Sequence, residues 1–101
     1  MIQKEEFIKL ISEQQEWDKK IDEIGKVFGC VPTEMSWIDY SNTLFEYIIG
    51  ISFNDNGQDT IYWWLYEKLP GNNQMWDANG NEIPTETIED LWNIVKDNRI
   101  Q

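Results

Sequence analysis

Apolar side chains recur every three or four positions through the first 28 residues. Ile11 widens this stripe and Gln14 interrupts it; its other members are Phe7, Leu10, Trp17, Ile21, Ile24 and Phe28. Such spacing puts apolar side chains on one face of an α-helix. Gly29 is suited to end the helix, because glycine readily adopts a left-handed C-cap conformation. The pattern predicts a helix over residues 3–28 that packs against the rest of the domain.

Two further apolar series with helical spacing predict helices over residues 35–52 and 86–97. The first series is Trp37, Tyr40, Leu44, Ile48 and Ile51, and the second is Ile88, Leu91, Trp92 and Val95. Thr85 or Thr87 can cap the last helix, and the acidic residues near its start are favoured there by the helix dipole.

The segment between these two helices is open to two interpretations. Asn56-Gly57 is a strong signal for a β-hairpin turn, and apolar residues alternate on both sides of it. The residues next to this turn are polar, however, and unlike paired strands. Asp59 can instead cap a helix whose apolar residues share one face. We favour a helix over residues 60–68, with the hairpin as the alternative.

A small β-hairpin is predicted over residues 74–83. Asn79-Gly80 is a preferred two-residue turn, and Trp76 and Ile83 supply the apolar side chains of the two arms. Together the segments predict a mainly α (α+β) fold with about four helices and one small hairpin. The length of 101 residues fits one domain, residues 1–101.

Acidic residues dominate the middle of the chain. The net charge is −11, and residues 27–95 contain eleven acidic side chains against a single basic one, Lys68. A field of one sign repels phosphate backbones and anionic lipids and attracts basic protein surfaces. We therefore expect no direct nucleic-acid binding, no membrane association, and a partner with a basic surface.

The chain lacks the residues of the commonest catalytic and metal sites. It has no histidine, one cysteine (Cys30) and no glycine-rich phosphate-binding loop. We expect no enzymatic activity, cofactor or metal; a carboxylate-dependent hydrolase is the remaining enzymatic alternative. The single thiol and the lack of an uninterrupted apolar stretch at the N-terminus favour the cytoplasm.

The densest aromatic segment of the chain, residues 61–66, supplies candidates for a contact surface. Trp63, with Tyr62 or Tyr66, is the candidate for a contact surface, and the other interpretation of these residues is core or semi-exposed packing. The residues that we predict to bind a partner are Trp63 as an apolar anchor and the acidic side chains of Asp55, Asp59, Glu67, Asp77, Glu82, Glu86, Glu89 and Asp90.

Several segments resemble small acidic proteins encoded by phages and prophages of low-GC bacteria. The matching segments are an I-x-x-W-x-Y-E helix within Asp59–Glu67, a D-x-x-G turn at Asp77–Gly80, a T-x-E-D-L-aromatic helix at Thr87–Trp92 and the opening Phe7–Ile11. The resemblance implies a mobile-element origin, a mostly helical fold and a counter-defence role. It carries over no catalytic or binding residue.

These observations favour a small acidic, non-enzymatic protein that occupies the basic nucleic-acid-binding surface of a partner such as a host nuclease. An anti-CRISPR or anti-restriction inhibitor of the nucleic-acid-mimic type is the concrete form. An immunity protein for a basic toxin differs only in the partner. The alternative is a structural or assembly module, with a homodimer formed through residues 7–28. We expect a monomer or a weak homodimer, in the host cytoplasm if the protein is phage-encoded.

Overall fold

The computed structural model describes residues 1–29, 35–68 and 75–101. Within these ranges the α-helices are α1 (Lys4–Phe28), α2 (Met35–Ser52), α3 (Asp55–Tyr62) and α4 (Ile88–Val95). A π-helical turn (Trp63–Glu67) continues α3, and a 3-10 turn (Lys96–Asn98) continues α4. The antiparallel strands β1 (Met75–Trp76) and β2 (Glu82–Ile83) form the hairpin. The mainly α fold with one small hairpin is therefore confirmed.

The first half of α1 supplies the side chains that enter the core. Phe7 and Ile11 are fully buried and Gln14 is almost so, whereas Trp17, Ile21 and Ile24 are half-buried and Val27 is largely exposed. Gly29 ends the helix at φ 68°, in the left-handed region where glycine is favoured. A homodimer through this helix would have to use the part that begins at Trp17, because the first half is covered within the chain.

The third helix begins at Asp55, which is earlier than the predicted start at residue 60. The Asn54 side chain caps it by accepting a hydrogen bond of 3.0 Å from the amide of Gly57. Asp59 therefore lies inside the helix and is not its cap. The helical interpretation is confirmed over the hairpin, since Asn56-Gly57 forms part of the first turn.

Close packing explains the glycine that sequence analysis associated with a hairpin. A Cβ atom at Gly57 would lie 3.0 Å from the Cβ atoms of both Phe53 and Asn98. Gly57 is buried at the point where α3 meets the C-terminal segment. Backbone hydrogen bonds of 2.9 Å join Asn54 to Asn98 and Ile100 to Ser52 at the same place. This close approach leaves no room for a side chain.

The last helix begins with a capping box at Thr87. The Thr87 hydroxyl accepts a hydrogen bond from the amide of Asp90, and the Asp90 carboxylate accepts one from the amide of Thr87. Of the two predicted caps, Thr87 is therefore correct. The predicted helix started at residue 86, but Glu86 precedes the cap and therefore lies outside the first helical turn.

The core forms where α4 packs against α1 and α3. The Phe7 ring lies 5.6 Å from Phe53 in an edge-to-face arrangement and 5.4 Å from Trp92. Trp64 is buried in the same cluster, and its indole nitrogen donates a 2.8 Å hydrogen bond to the carbonyl of Thr85. Aromatic pairs of this kind contribute about 0.5–1.5 kcal/mol each beyond the area they bury. Among the described residues, Trp64 and Trp92 are therefore the tryptophans of the core.

Candidate functional site

The structure distributes the eight predicted acidic residues over four elements, and nearly all are exposed. They lie in the first two turns of α3 (Asp55 and Asp59), at the end of the π turn (Glu67), in the hairpin (Asp77 and Glu82) and around the start of α4 (Glu86, Glu89 and Asp90). Asp90 is the partly buried member. The fold brings Glu86 and Asp90 together directly, since the amide of Glu86 donates a 3.0 Å hydrogen bond to the Asp90 carboxylate.

Three of these carboxylates have a local partner. Glu89 forms an ion pair of 2.5 Å with Lys4. Asp77 accepts hydrogen bonds from the amides of Asn79 and Asn81 and so shapes the hairpin turn. The backbone hydrogen bond from Thr87 lowers the pKa of Asp90, helped by its further hydrogen bonds and by the charge of Lys68. These three side chains stabilise the fold whatever else they contact.

Two basic side chains in the C-terminal half, Lys68 and Arg99, lie over the faces of tryptophan rings. The Lys68 ammonium lies 5.2 Å from the centre of the Trp64 ring and donates a hydrogen bond to the carbonyl of Thr85. The Arg99 guanidinium lies 4.8 Å from the centre of the Trp92 ring and donates to the carbonyls of Lys96 and Ile2. Such contacts are attractive because the face of an aromatic ring is electron-rich. Neither Lys68 nor Arg99 forms an ion pair with a carboxylate in the described part of the chain.

Trp63 is half-buried and packs against the core. Its neighbours Tyr62 and Tyr66 are more open, with exposed fractions of 54 and 45 %. The two tyrosine rings lie 5.1 Å apart at an angle of 57°. Of the aromatic candidates for a contact surface, the structure therefore exposes the tyrosines most.

A groove beside these tyrosines was not predicted from the sequence. Two adjoining cavities of about 250 and 260 Å³ share Phe45, Glu46 and Tyr62. Asp18 and Tyr66 also line the first cavity, and Asp59 also lines the second. We call this feature the tyrosine groove, defined by Asp18, Phe45, Glu46, Asp59, Tyr62 and Tyr66.

One end of the tyrosine groove is held by a hydrogen-bond network. The Gln14 side-chain nitrogen donates to the Asp18 carboxylate at 3.0 Å and to the Tyr66 hydroxyl at 2.9 Å. Burial raises the pKa of Asp18, although the hydrogen bonds from Gln14 and Tyr66 oppose that change. Burial and the adjacent Asp18 charge raise the pKa of Tyr66 to about 12. Asp18 is therefore a carboxylate that a cation would stabilise.

Gln14 is the signal by which this end of the groove could have been found. It is the polar residue in the apolar stripe of α1, and a buried amide needs hydrogen-bond partners. Asp18 lies one helical turn further along α1 and supplies one such partner. Tyr66 is 52 positions away in sequence, so its contribution required the tertiary structure.

The described part of the chain contains neither a metal-binding cluster of side chains nor a membrane-spanning helix. Within it, no group of three or more cysteine or acidic side chains is arranged to hold a metal ion. None of its helices combines the length and the apolar character needed to cross a membrane. No protein-family model, curated protein or solved structure matches the sequence, so the candidate site rests on its own geometry.

Proposed function

We propose that this chain is a small acidic, non-enzymatic binding protein whose carboxylates occupy a basic surface of a partner macromolecule. The observation that carries the proposal is the absence of charge compensation. Among the described residues from 43 to 101, Glu89 is the one carboxylate in an ion pair. The other nine are Glu46, Asp55, Asp59, Glu67, Asp77, Glu82, Glu86, Asp90 and Asp97.

Exposed carboxylates without counter-charges favour association with arginine-rich and lysine-rich surfaces. They steer such a partner during its approach and suppress contacts with anionic molecules. Nucleic-acid-binding surfaces are basic for the same reason, because they neutralise phosphates. A protein with this surface competes with nucleic acid for the same partner.

The form that we propose is a phage-encoded inhibitor acting in the host cytoplasm, of the anti-CRISPR or anti-restriction type. This part of the proposal depends on the resemblance to acidic phage proteins. A host nuclease is then the expected partner, whereas a basic toxin as partner would make the chain an immunity protein. In both versions the acidic surface binds a basic surface of the partner.

The test begins with affinity capture from a lysate of a low-GC bacterium at about 50 mM salt. Each captured protein is then assayed for binding to fluorescent duplex DNA, with this chain as the competitor. We expect this chain to compete with the DNA at low salt, and its direct affinity for the captured partner to fall by about tenfold or more between about 50 and 200 mM salt. A direct affinity that is insensitive to salt, or capture of partners that do not bind nucleic acid, would contradict the proposal.

Charge-reversal variants localise the effect. Glu82→Lys with Glu86→Lys changes two exposed carboxylates that have no ion pair and cap no helix. Glu16→Lys with Glu23→Lys makes the same change in net charge on exposed positions of α1 and serves as the control. We expect the first pair to weaken competition much more than the second. Equal effects would show that net charge alone acts, without a binding surface.

A further inference from the structure

We infer that the tyrosine groove receives an arginine side chain of the partner protein. This inference rests on the proposed function and specifies where part of the basic surface docks. Its basis is the combination of three carboxylates with two partly exposed phenol rings in one groove.

The charge of the tyrosine groove is of one sign. Asp18, Glu46 and Asp59 come from three different helices, and none of the groove residues is basic. None of these carboxylates belongs to an ion pair in the described part of the chain. A cation that enters either cavity would therefore meet two carboxylates, Glu46 with Asp18 in the first and Glu46 with Asp59 in the second.

The rings give the groove a preference among cations. A guanidinium is planar, stacks on aromatic faces and donates paired hydrogen bonds to a carboxylate, whereas an ammonium is a compact and strongly hydrated charge. Tyr62 and Tyr66 present ring surface beside Glu46. The groove thus suits arginine better than lysine.

Contacts within the chain hold three of the groove residues, Asp18, Tyr66 and Phe45, in place. Gln14 is buried and holds both Asp18 and Tyr66 through its side-chain nitrogen. Phe45, in the middle of α2, packs against the core. A preformed site loses less conformational entropy on binding than one that must be ordered.

The test uses three synthetic peptides with four residues of arginine, lysine or citrulline separated by glycine and serine. Binding to the full chain is followed by fluorescence anisotropy and by the amide and carboxyl NMR signals. We expect the arginine peptide to bind most tightly and the citrulline peptide not to bind. We also expect the titration midpoint of the Asp18 carboxyl to shift to lower pH when the arginine peptide is bound. Equal binding of the arginine and lysine peptides would overturn the inference.

Matched variants separate the groove from the general field. Glu46→Gln with Asp59→Asn removes two charges from the groove, and Glu16→Gln with Glu23→Gln removes two charges from exposed positions of α1 outside it. We expect the groove pair to weaken binding of the arginine peptide by about fivefold, and the control pair by less than about twofold. Equal losses would overturn the groove assignment and leave the proposed function intact.

A third variant tests the contribution of the ring. Tyr62 is largely exposed, so Tyr62→Leu should leave the fold in place, which circular dichroism can verify. We expect it to weaken arginine binding by about two- to fivefold and lysine binding by less. Unchanged arginine binding would overturn the inference. Arginine binding in the groove without any DNA-binding partner would instead contradict the proposed function.

Discussion

The side-chain nitrogen of Gln14 lies 2.9 Å from the phenolic oxygen of Tyr66, and this contact joins α1 to the π turn. It gives a buried amide a partner and explains why an apolar stripe contains a glutamine. The same amide holds Asp18, so one residue organises the end of the tyrosine groove. Stability and the proposed binding site therefore depend on a common network.

Removing the Tyr66 hydroxyl should destabilise the protein. In Tyr66→Phe, Gln14 loses one acceptor in a buried position and Asp18 loses a donor, so we expect the free energy of unfolding to fall by about 1 kcal/mol. Urea denaturation followed by circular dichroism measures this change. Tyr62→Phe is the control, because Tyr62 is exposed and makes no described hydrogen bond through its hydroxyl. Equal losses in the two variants would contradict the role of the network.

The same tyrosine should make stability sensitive to alkaline pH. The pKa of Tyr66 is raised to about 12 in the folded protein, against 10.0 for an ordinary tyrosine. The protonated phenol is favoured by folding, so its contribution is full below about pH 10 and is lost as the pH rises towards 12. We expect the difference in unfolding free energy between the natural protein and Tyr66→Phe to shrink over this range. A difference that stays constant from pH 9 to 12 would disagree with the raised pKa.

Asp18 should contribute a pH dependence in the acidic range. Its pKa is raised by burial, so the folded state favours the protonated form. The stabilising contribution is full below the unfolded pKa of about 3.9 and is lost as the pH rises through the folded value. We therefore expect Asp18→Asn to gain stability relative to the natural protein between about pH 4 and pH 7. Glu23→Gln removes the same charge from an exposed position of α1 and controls for net charge.

Adding one methyl group at Gly57 should be harmful although alanine favours helices. The new Cβ would lie 3.0 Å from two Cβ atoms, one of them in the core residue Phe53. We expect Gly57→Ala to lower the free energy of unfolding by about 1–3 kcal/mol. Gly25→Ala in α1 is the control, since nothing lies within 4 Å of its new Cβ, and it should raise stability by about 0.5–1 kcal/mol. Thermal or urea denaturation of the two variants gives the comparison.

Periodicity predicted the number and kind of elements because each helix buries one face. Among the described residues, the stripes of α1 and α4 supply five of the nine buried apolar residues of the core, and glycine and threonine mark the ends that the structure shows at Gly29 and Thr87. Local signals were sufficient wherever the cap and the apolar face agree. The proposed end of the third helix at Pro70-Gly71 lies outside the described residues.

The start of α3 was wrong for a reason that local sequence could not reveal. Asn54 and Asp59 both suit an N-cap, and Asn56-Gly57 suits a turn equally well. What decides between them is the packing of Gly57 against Asn98, a residue 41 positions later. Elements that meet only in the tertiary structure likewise form the tyrosine groove. Asp59 was predicted from the sequence to bind a partner, whereas Asp18 and Glu46, the other two carboxylates of the groove, were not.

The spacing of apolar residues did not predict the π turn either. Its five residues continue α3 with wider hydrogen bonding, and Trp64 is buried within it. A π turn places one more residue in a helical turn, and such turns are frequent at functional sites. The predicted helix over residues 60–68 includes this segment but does not distinguish a π turn from an α-helix. The sequence Trp63–Glu67 is compatible with either form, since its aromatic residues suit any buried helix.

Trp76 offers an optical reporter of the local electrostatic potential. It is 59 % exposed on β1 and lies directly opposite Glu82, with Asp77 as its neighbour in sequence. Caesium ions should therefore collide with its indole more often than iodide ions do, and quench its emission more strongly at low ionic strength. Neutral acrylamide provides the reference. If a basic ligand covers the hairpin, we expect caesium and iodide ions to quench the Trp76 emission equally. This measurement requires no added label.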